Sequence, residues 1–124
     1  MNILFKKQFV EKILSGEKTV TRRTNPKWAK VENGAPLYAK VGYCSKPFAR
    51  LRVLTIWREA KPGQTFLGAN RGDGVQKAYR FREAVKEGFE CWEDFSTLYT
   101  KINGKNSMNE PCYRIEFEVV EEGV

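Results

Sequence analysis

Apolar positions divide the chain into segments of two periods. Phe9, Val10, Ile13 and Leu14 recur at helical spacing and are followed by Gly16, which predicts a short helix over residues 7–15 with the glycine in the left-handed position just past its end. Ile3-Leu4-Phe5 before it reads as a short strand. The β-branched run Thr19-Val20-Thr21 predicts a strand, broken by Asn25-Pro26. Leu37, Ala39, Val41 and Tyr43 alternate with polar or amphipathic residues and predict another. In residues 48–57, Ala49, Leu51, Val53 and Trp57 line one face, with Arg50 and Arg52 on the other and Leu54 and Ile56 further along. Near the C-terminus, Tyr113, Ile115, Phe117 and Val119 alternate with Arg114, Glu116 and Glu118, the pattern of a strand with one buried face.

Two longer helices are predicted between these strands. Val75, Ala78, Tyr79, Val85 and Phe89 form one apolar stripe, with Asp73 placed as N-cap, Gln76 three residues later and Gly88 as a stop. Trp92, Phe95, Leu98, Tyr99 and Ile102 form the second, ended by Gly104. Residues 24–35 and 59–74 read as loops, and a loop as long as the second often borders a functional site. Its glycines lack the spacing of a nucleotide-phosphate loop, and no Gly-Lys-Ser/Thr follows. Helices set among strands without regular βαβ alternation indicate an α+β domain, and 124 residues are enough for one. A small closed barrel is one such solution. The inward positions of the periodic segments are Phe9, Ile13, Val20, Leu51, Val53, Ile115 and Phe117.

Composition narrows the chemistry. Histidine is absent, which removes His-based triads, paired-His ribonuclease chemistry and the commonest metal ligand. The three cysteines, Cys44, Cys91 and Cys112, are odd in number and widely spaced, so neither a disulfide framework nor a zinc site is expected. No cofactor or metal is implied. No apolar run approaches the roughly 20 residues that span a bilayer, and the N-terminus lacks a charged-then-apolar leader. A soluble, cytoplasmic protein is expected. Charge is uneven: residues 1–58 hold 13 Lys/Arg and 3 Glu, whereas residues 59–124 hold 9 Lys/Arg and 12 Asp/Glu. A basic half suits a phosphate-bearing partner, although a solvated surface reads the same way.

The stretch richest in chemistry is Gly16-Glu17-Lys18-Thr19-Val20-Thr21-Arg22-Arg23. A turn at Gly16 would present an amine, two hydroxyls and two guanidinium groups to one small ligand. A threonine hydroxyl is a weak nucleophile that needs a base. Lysine serves as that base only with a lowered pKa, and burial beside Arg22 or Arg23 pushes it down. On a regular strand Thr19, Thr21 and Arg23 share one face and Val20 and Arg22 the other, so Lys18 must reach Thr21 from the turn. The plain alternative is solvated charges at a strand start beside two strand-forming threonines.

This stretch resembles the Gly-x-Lys-Thr-x-Thr/Glu-x-Arg signature of the ASCH domain family, whose barrel is related to the PUA fold. The resemblance implies a PUA-like small mixed β-barrel with flanking helices, spanning residues 1–124 as one domain. Some members of the family are amidohydrolases acting on N4-acetylcytidine. By that resemblance Lys18 and Thr21 are catalytic, joined by an acidic residue at the end of the helix after the long loop. Glu87, before Gly88-Phe89, matches that position, with Glu83 and Glu90 as neighbouring alternatives. Arg22, Arg23, Trp28, Arg50 and Arg52 are the candidate substrate contacts. Trp28, in a lysine-rich loop, reads as a lid over the core in preference to a base-stacking platform. The expected partner is RNA or a modified pyrimidine nucleoside. The competing readings are a non-catalytic RNA-binding PUA-like module and, less well supported without histidine, a ribonuclease.

Overall fold

The computed structural model describes residues 1–64 and 73–123. The glycine-rich run at 68–72 and the Asp73 cap lie outside the described residues and side chains. In chain order the elements are β1 (Asn2–Leu4), α1 (Val10–Ser15), β2 (Val20–Arg23), β3 (Pro36–Lys40), β4 (Ala49–Glu59), α2 (Asp73–Lys86), α3 (Trp92–Asn103) and β5 (Cys112–Glu122). The five strands form one mixed sheet in the order β1-β3-β4-β5-β2, with β1 parallel to β3 and every other pair antiparallel. The sheet curls into a half-barrel and the helices flank it, an α+β, PUA-like arrangement.

Local sequence explains most of these boundaries. A 3-10 turn at Lys7–Phe9 leads into α1, and Gly16 ends it with φ 84°. Only a residue without Cβ adopts that conformation cheaply. The loop after β2 is ordered by a 3-10 turn at Pro26–Lys30, where the Asn25 side chain accepts from the Lys27 N–H. Trp28 is buried in the core, as a lid. The core also holds Ile3, Phe5, Phe9, Ile13, Leu37, Leu51, Val53, Ile115 and Phe117. At an order of ~1.5–3 kcal/mol for each large apolar side chain, burial of this group dominates the fold's stabilisation.

Four expectations are corrected. The third strand stops at Lys40, and Val41 and Tyr43 are exposed, because residues 41–45 form bends and turns with Gly42 and Ser45 bonded to each other. In β4 a register shift between Val53 and Thr55 inserts Leu54 as an extra residue. The inserted residue reverses the alternation. Ile56 therefore faces Ile115 in the core, and Trp57 pairs with Arg114 on the opposite face. Val20 is buried, but it pairs with Glu116 and shares the face of Arg22, opposite to Ile115. Strand β5 is buried on both faces at its start, where Cys112 and Arg114 are covered as well.

The largest departure is α2. Val75 and Val85 of the predicted apolar stripe are exposed, as is Phe81, while the residues the helix turns inward are Glu83, Ala84 and the following Glu87. The helix docks through carboxylates because the sheet face beneath it carries Arg22 and Arg114.

Candidate functional site

Three local devices bring the site together. Beyond Gly16, the Lys18 N–H donates to Lys12 O (2.9 Å) and the Thr19 N–H to Lys86 O (2.8 Å), so this turn is tied to both α1 and the end of α2. Helix α2 closes in a Schellman motif: Phe89 N–H donates to Ala84 O and Gly88 N–H to Val85 O, with Gly88 at φ 95°. A Cβ on Gly88 would also stand 3.4 Å from Lys18 Cβ, so the glycine lets the two segments approach. Cations then meet the carbonyls exposed at this end of the helix. Lys12 Nζ donates to Gly88 O (2.6 Å) and Lys18 Nζ to Glu87 O (2.7 Å).

Lys18, Arg22, Glu59, Glu83, Glu87 and Arg114 form a buried ionic network, each side chain at most 4% exposed. Lys18 Nζ donates to Val20 O (2.9 Å) and Glu87 Oε1 (3.0 Å) in addition to Glu87 O. Arg22 Nη1 donates to the other Glu87 oxygen (3.0 Å), Arg22 Nε to Glu59 (2.7 Å) and Arg22 Nη2 to Glu83 (2.5 Å). Arg114 closes the chain with two bonds to Glu83 (2.5 and 3.0 Å). Three cations face three carboxylates, so the desolvation each would suffer alone is offset by its partners.

Electrostatics follow from this geometry. Burial lowers the Lys18 pKa, Glu87 opposes the shift without cancelling it, and Arg23 and Arg22 add to it. Burial also opposes ionisation of Glu83, but the bonds and charges of Arg114 and Arg22 outweigh it and hold the carboxyl below its ordinary range. Burial brings Arg23 down to about 10, which leaves it charged at neutral pH.

In front of the network opens a cavity of about 750 Å³. One wall is β1 and Phe9, another is β2 with the turn to Trp28, and a third is α3 through Phe95, Leu98 and Tyr99. Lys18, Thr21, Arg22, Arg23, Trp28 and Glu87 all line it. Of the three candidate carboxylates only Glu87 does so; Glu83 lies behind Arg22 and Glu90 is exposed. Thr21 Oγ1 accepts from Arg23 Nε (3.2 Å), and no hydrogen bond among the described residues joins Lys18 to Thr21. Arg22 is not a free phosphate contact, since its guanidinium is held by carboxylates. Arg50 and Arg52 do not line the cavity; their side chains, 40% and 55% exposed, pair with Glu121 and Glu118 on β5.

Sequence reasoning missed Glu59 and Arg114 as members of this cluster, and it named Glu83 only as an alternative to Glu87, whereas the two carboxylates share the network. One signal was available: Glu83 and Glu87 are four apart, so they share a helix face. Among the described residues no group of three His, Cys, Asp or Glu is placed to hold a metal ion. Among the described residues no helix is long and apolar enough to cross a membrane.

No family model and no curated protein matches the chain in sequence. Solved structures match in fold. The hypothetical protein PH0355 superposes with a TM-score of 0.67 at 14% identity, covering 96% of this chain and 97% of its own. An ASCH domain from Lactobacillus crispatus gives 0.53 at 15% identity over 98% of this chain and 79% of its own. A ZmASCH variant from Zymomonas mobilis gives 0.58 at 13% identity over 98% and 70%. With its mixed, curled sheet and flanking helices, the chain has the fold of the solved ASCH-domain structures.

Proposed function

We propose that this chain is an ASCH-domain amidohydrolase that removes the acyl group from N4-acetylcytidine-type substrates. The observation that carries the reading is the meeting of Lys18, Thr21, Arg23 and Glu87 on one cavity of a size suited to a small molecule. Neutral Lys18 has two N–H donors for the three acceptors its ammonium now serves, which frees a lone pair. That lone pair takes the proton of Thr21 as Oγ1 attacks the acyl carbon. Arg23 holds the oxyanion. The bond from acyl carbon to N4 breaks, and Lys18 returns the proton to the leaving amine. Glu87 then activates water, which releases the acid and restores Thr21.

A second reading is a non-catalytic module that binds RNA or a modified base. It is favoured by the Lys18 ammonium having all its donors engaged and by Thr21 being bonded to Arg23. Incubating the purified protein with N4-acetylcytidine and following cytidine by chromatography separates the two. Hydrolysis abolished by Lys18→Ala supports the enzyme; binding in this cavity without hydrolysis at any pH overturns it.

A further inference from the structure

Helix α2 has a second face, turned away from the sheet. Glu83 and Ala84 are buried on the inner side, whereas Gly74, Ala78, Phe81 and Val85 on the outer side are exposed, Phe81 to 59% and Val85 to 47%. These four follow one another at intervals of four, three and four residues. That is the a/d spacing of a coiled-coil seam, and it confines them to a strip about 60° wide and roughly 17 Å long. Phe81 and Val85 are its knobs, and the small Gly74 and Ala78 leave room beside them for a partner's side chains.

Charge selects the occupant. Lys77 and Arg82 border the strip on its two sides, at the positions that in a coiled coil meet the partner's own flanking charges. Both are exposed, and among the described residues neither has a salt bridge. Past Asp73 the only acid in the helix is Glu83, which is buried against Arg22 and Arg114. A second copy would set this cationic surface against itself, which like-charge repulsion opposes. A lipid surface calls for a broad apolar face, not a narrow strip. A nucleic acid would match the two cations and leave the strip without an apolar partner. We propose that this face of α2 docks an amphipathic helix of a partner protein whose apolar seam is flanked by Asp or Glu. None of the six residues lines the cavity, so the docking surface is separate from the candidate site. A strip this short buries a small area, in the class of transient contacts.

The test titrates the isotope-labelled full chain with synthetic heptad peptides that carry Leu at every seam position. One peptide has Glu at the flanking positions and the other Lys, so neither pairs with itself. Backbone amide signals report where each binds and how tightly. The Glu peptide is expected to move the amides of α2 and to bind about tenfold more tightly than the Lys peptide, an advantage that shrinks as salt rises. Phe81→Ala should weaken it about tenfold. Lys77→Glu combined with Arg82→Glu should reverse the preference in favour of the Lys peptide. All three side chains are exposed, and a gain of binding cannot come from a damaged fold. Equal affinity for the two peptides overturns the proposal, as do α2 amides that the Glu peptide leaves unmoved. Concentration-dependent shifts in α2 without any peptide assign the face to a second copy and overturn it as well. So do α2 shifts produced by phosphatidylserine vesicles or a single-stranded RNA where the Glu peptide produces none.

Discussion

Replacing Glu83 by glutamine tests the buried network without touching the cavity lining. The substitution keeps shape and removes one charge from a carboxylate that accepts from Arg22 Nη2 at 2.5 Å and from Arg114 Nε and Nη2 at 2.5 and 3.0 Å. Two buried guanidinium groups then face an amide. Removing one partner of a buried ion pair costs roughly 3–5 kcal/mol, because the remaining charge is uncompensated. A domain of 124 residues has an unfolding entropy near ~260 cal/mol/K at about 2.1 per residue, so the melting temperature should fall by roughly 12–19 °C. Much of the loss belongs to the orphaned cations, so adding Arg114→Gln should restore part of it. The pH dependence has a defined sign. The folded pKa of Glu83 lies below its unfolded value, so its contribution is present above the ordinary glutamate range and is lost as pH falls through the lowered value. Wild type should therefore lose more stability on acidification than Glu83→Gln does. Calorimetry at neutral and acid pH measures both effects. A neutral-pH change below about 1 kcal/mol, the range of exposed pairs, would refute the network's role.

Other outcomes follow from single contacts. Exposed Glu90→Gln should alter stability by no more than about 0.5 kcal/mol, against which the Glu83 effect is read in urea titrations. Gly63→Ala should cost roughly 2–4 kcal/mol, since its φ is 80° and a Cβ would stand 2.6 Å from the Trp92 ring; a denaturation midpoint equal to wild type contradicts this. Thr21→Val removes one hydrogen bond from Arg23, about 1 kcal/mol, and should leave a folded protein without hydrolytic activity. Lys18→Ala added to it should not lower the rate further, as nucleophile and base act as one unit; additive losses in kcat/KM argue against that pairing. The rate should rise with pH as Lys18 loses its proton, at a pKa below the roughly 10.4 of free lysine, and a pH-independent rate argues against lysine as the base.

What could be read from the chain was what local rules determine. Gly16 and Gly88 mark their helix ends because a positive φ selects glycine, and Phe9, Ile13, Leu51, Val53, Ile115 and Phe117 declare themselves by period. The Leu54 insertion carries no sequence signal, so the face of Trp57 was misread. Helix α2 was misread for a deeper reason. The rule that apolar residues point inward fails where the surface beneath is charged, and that surface is assembled from Arg22, Glu59 and Arg114 on three strands distant in sequence. The choice of Glu87 needed the family resemblance, since three nearby glutamates are alike in sequence and differ only in what they face. Arg50 and Arg52 look like Arg22 and Arg23 by composition. Glu118 and Glu121, their partners on the neighbouring strand, separate the two pairs.

If the proposed mechanism holds, Thr21 is acylated during turnover. Wild-type protein mixed with N4-acetylcytidine and quenched at short times can be digested and weighed peptide by peptide. One acetyl group should appear on Thr21, transiently and in step with the first cytidine released, and it should be absent after the same treatment of Lys18→Ala. Cytidine released at full rate with no acetyl group on Thr21 at any time would contradict the mechanism.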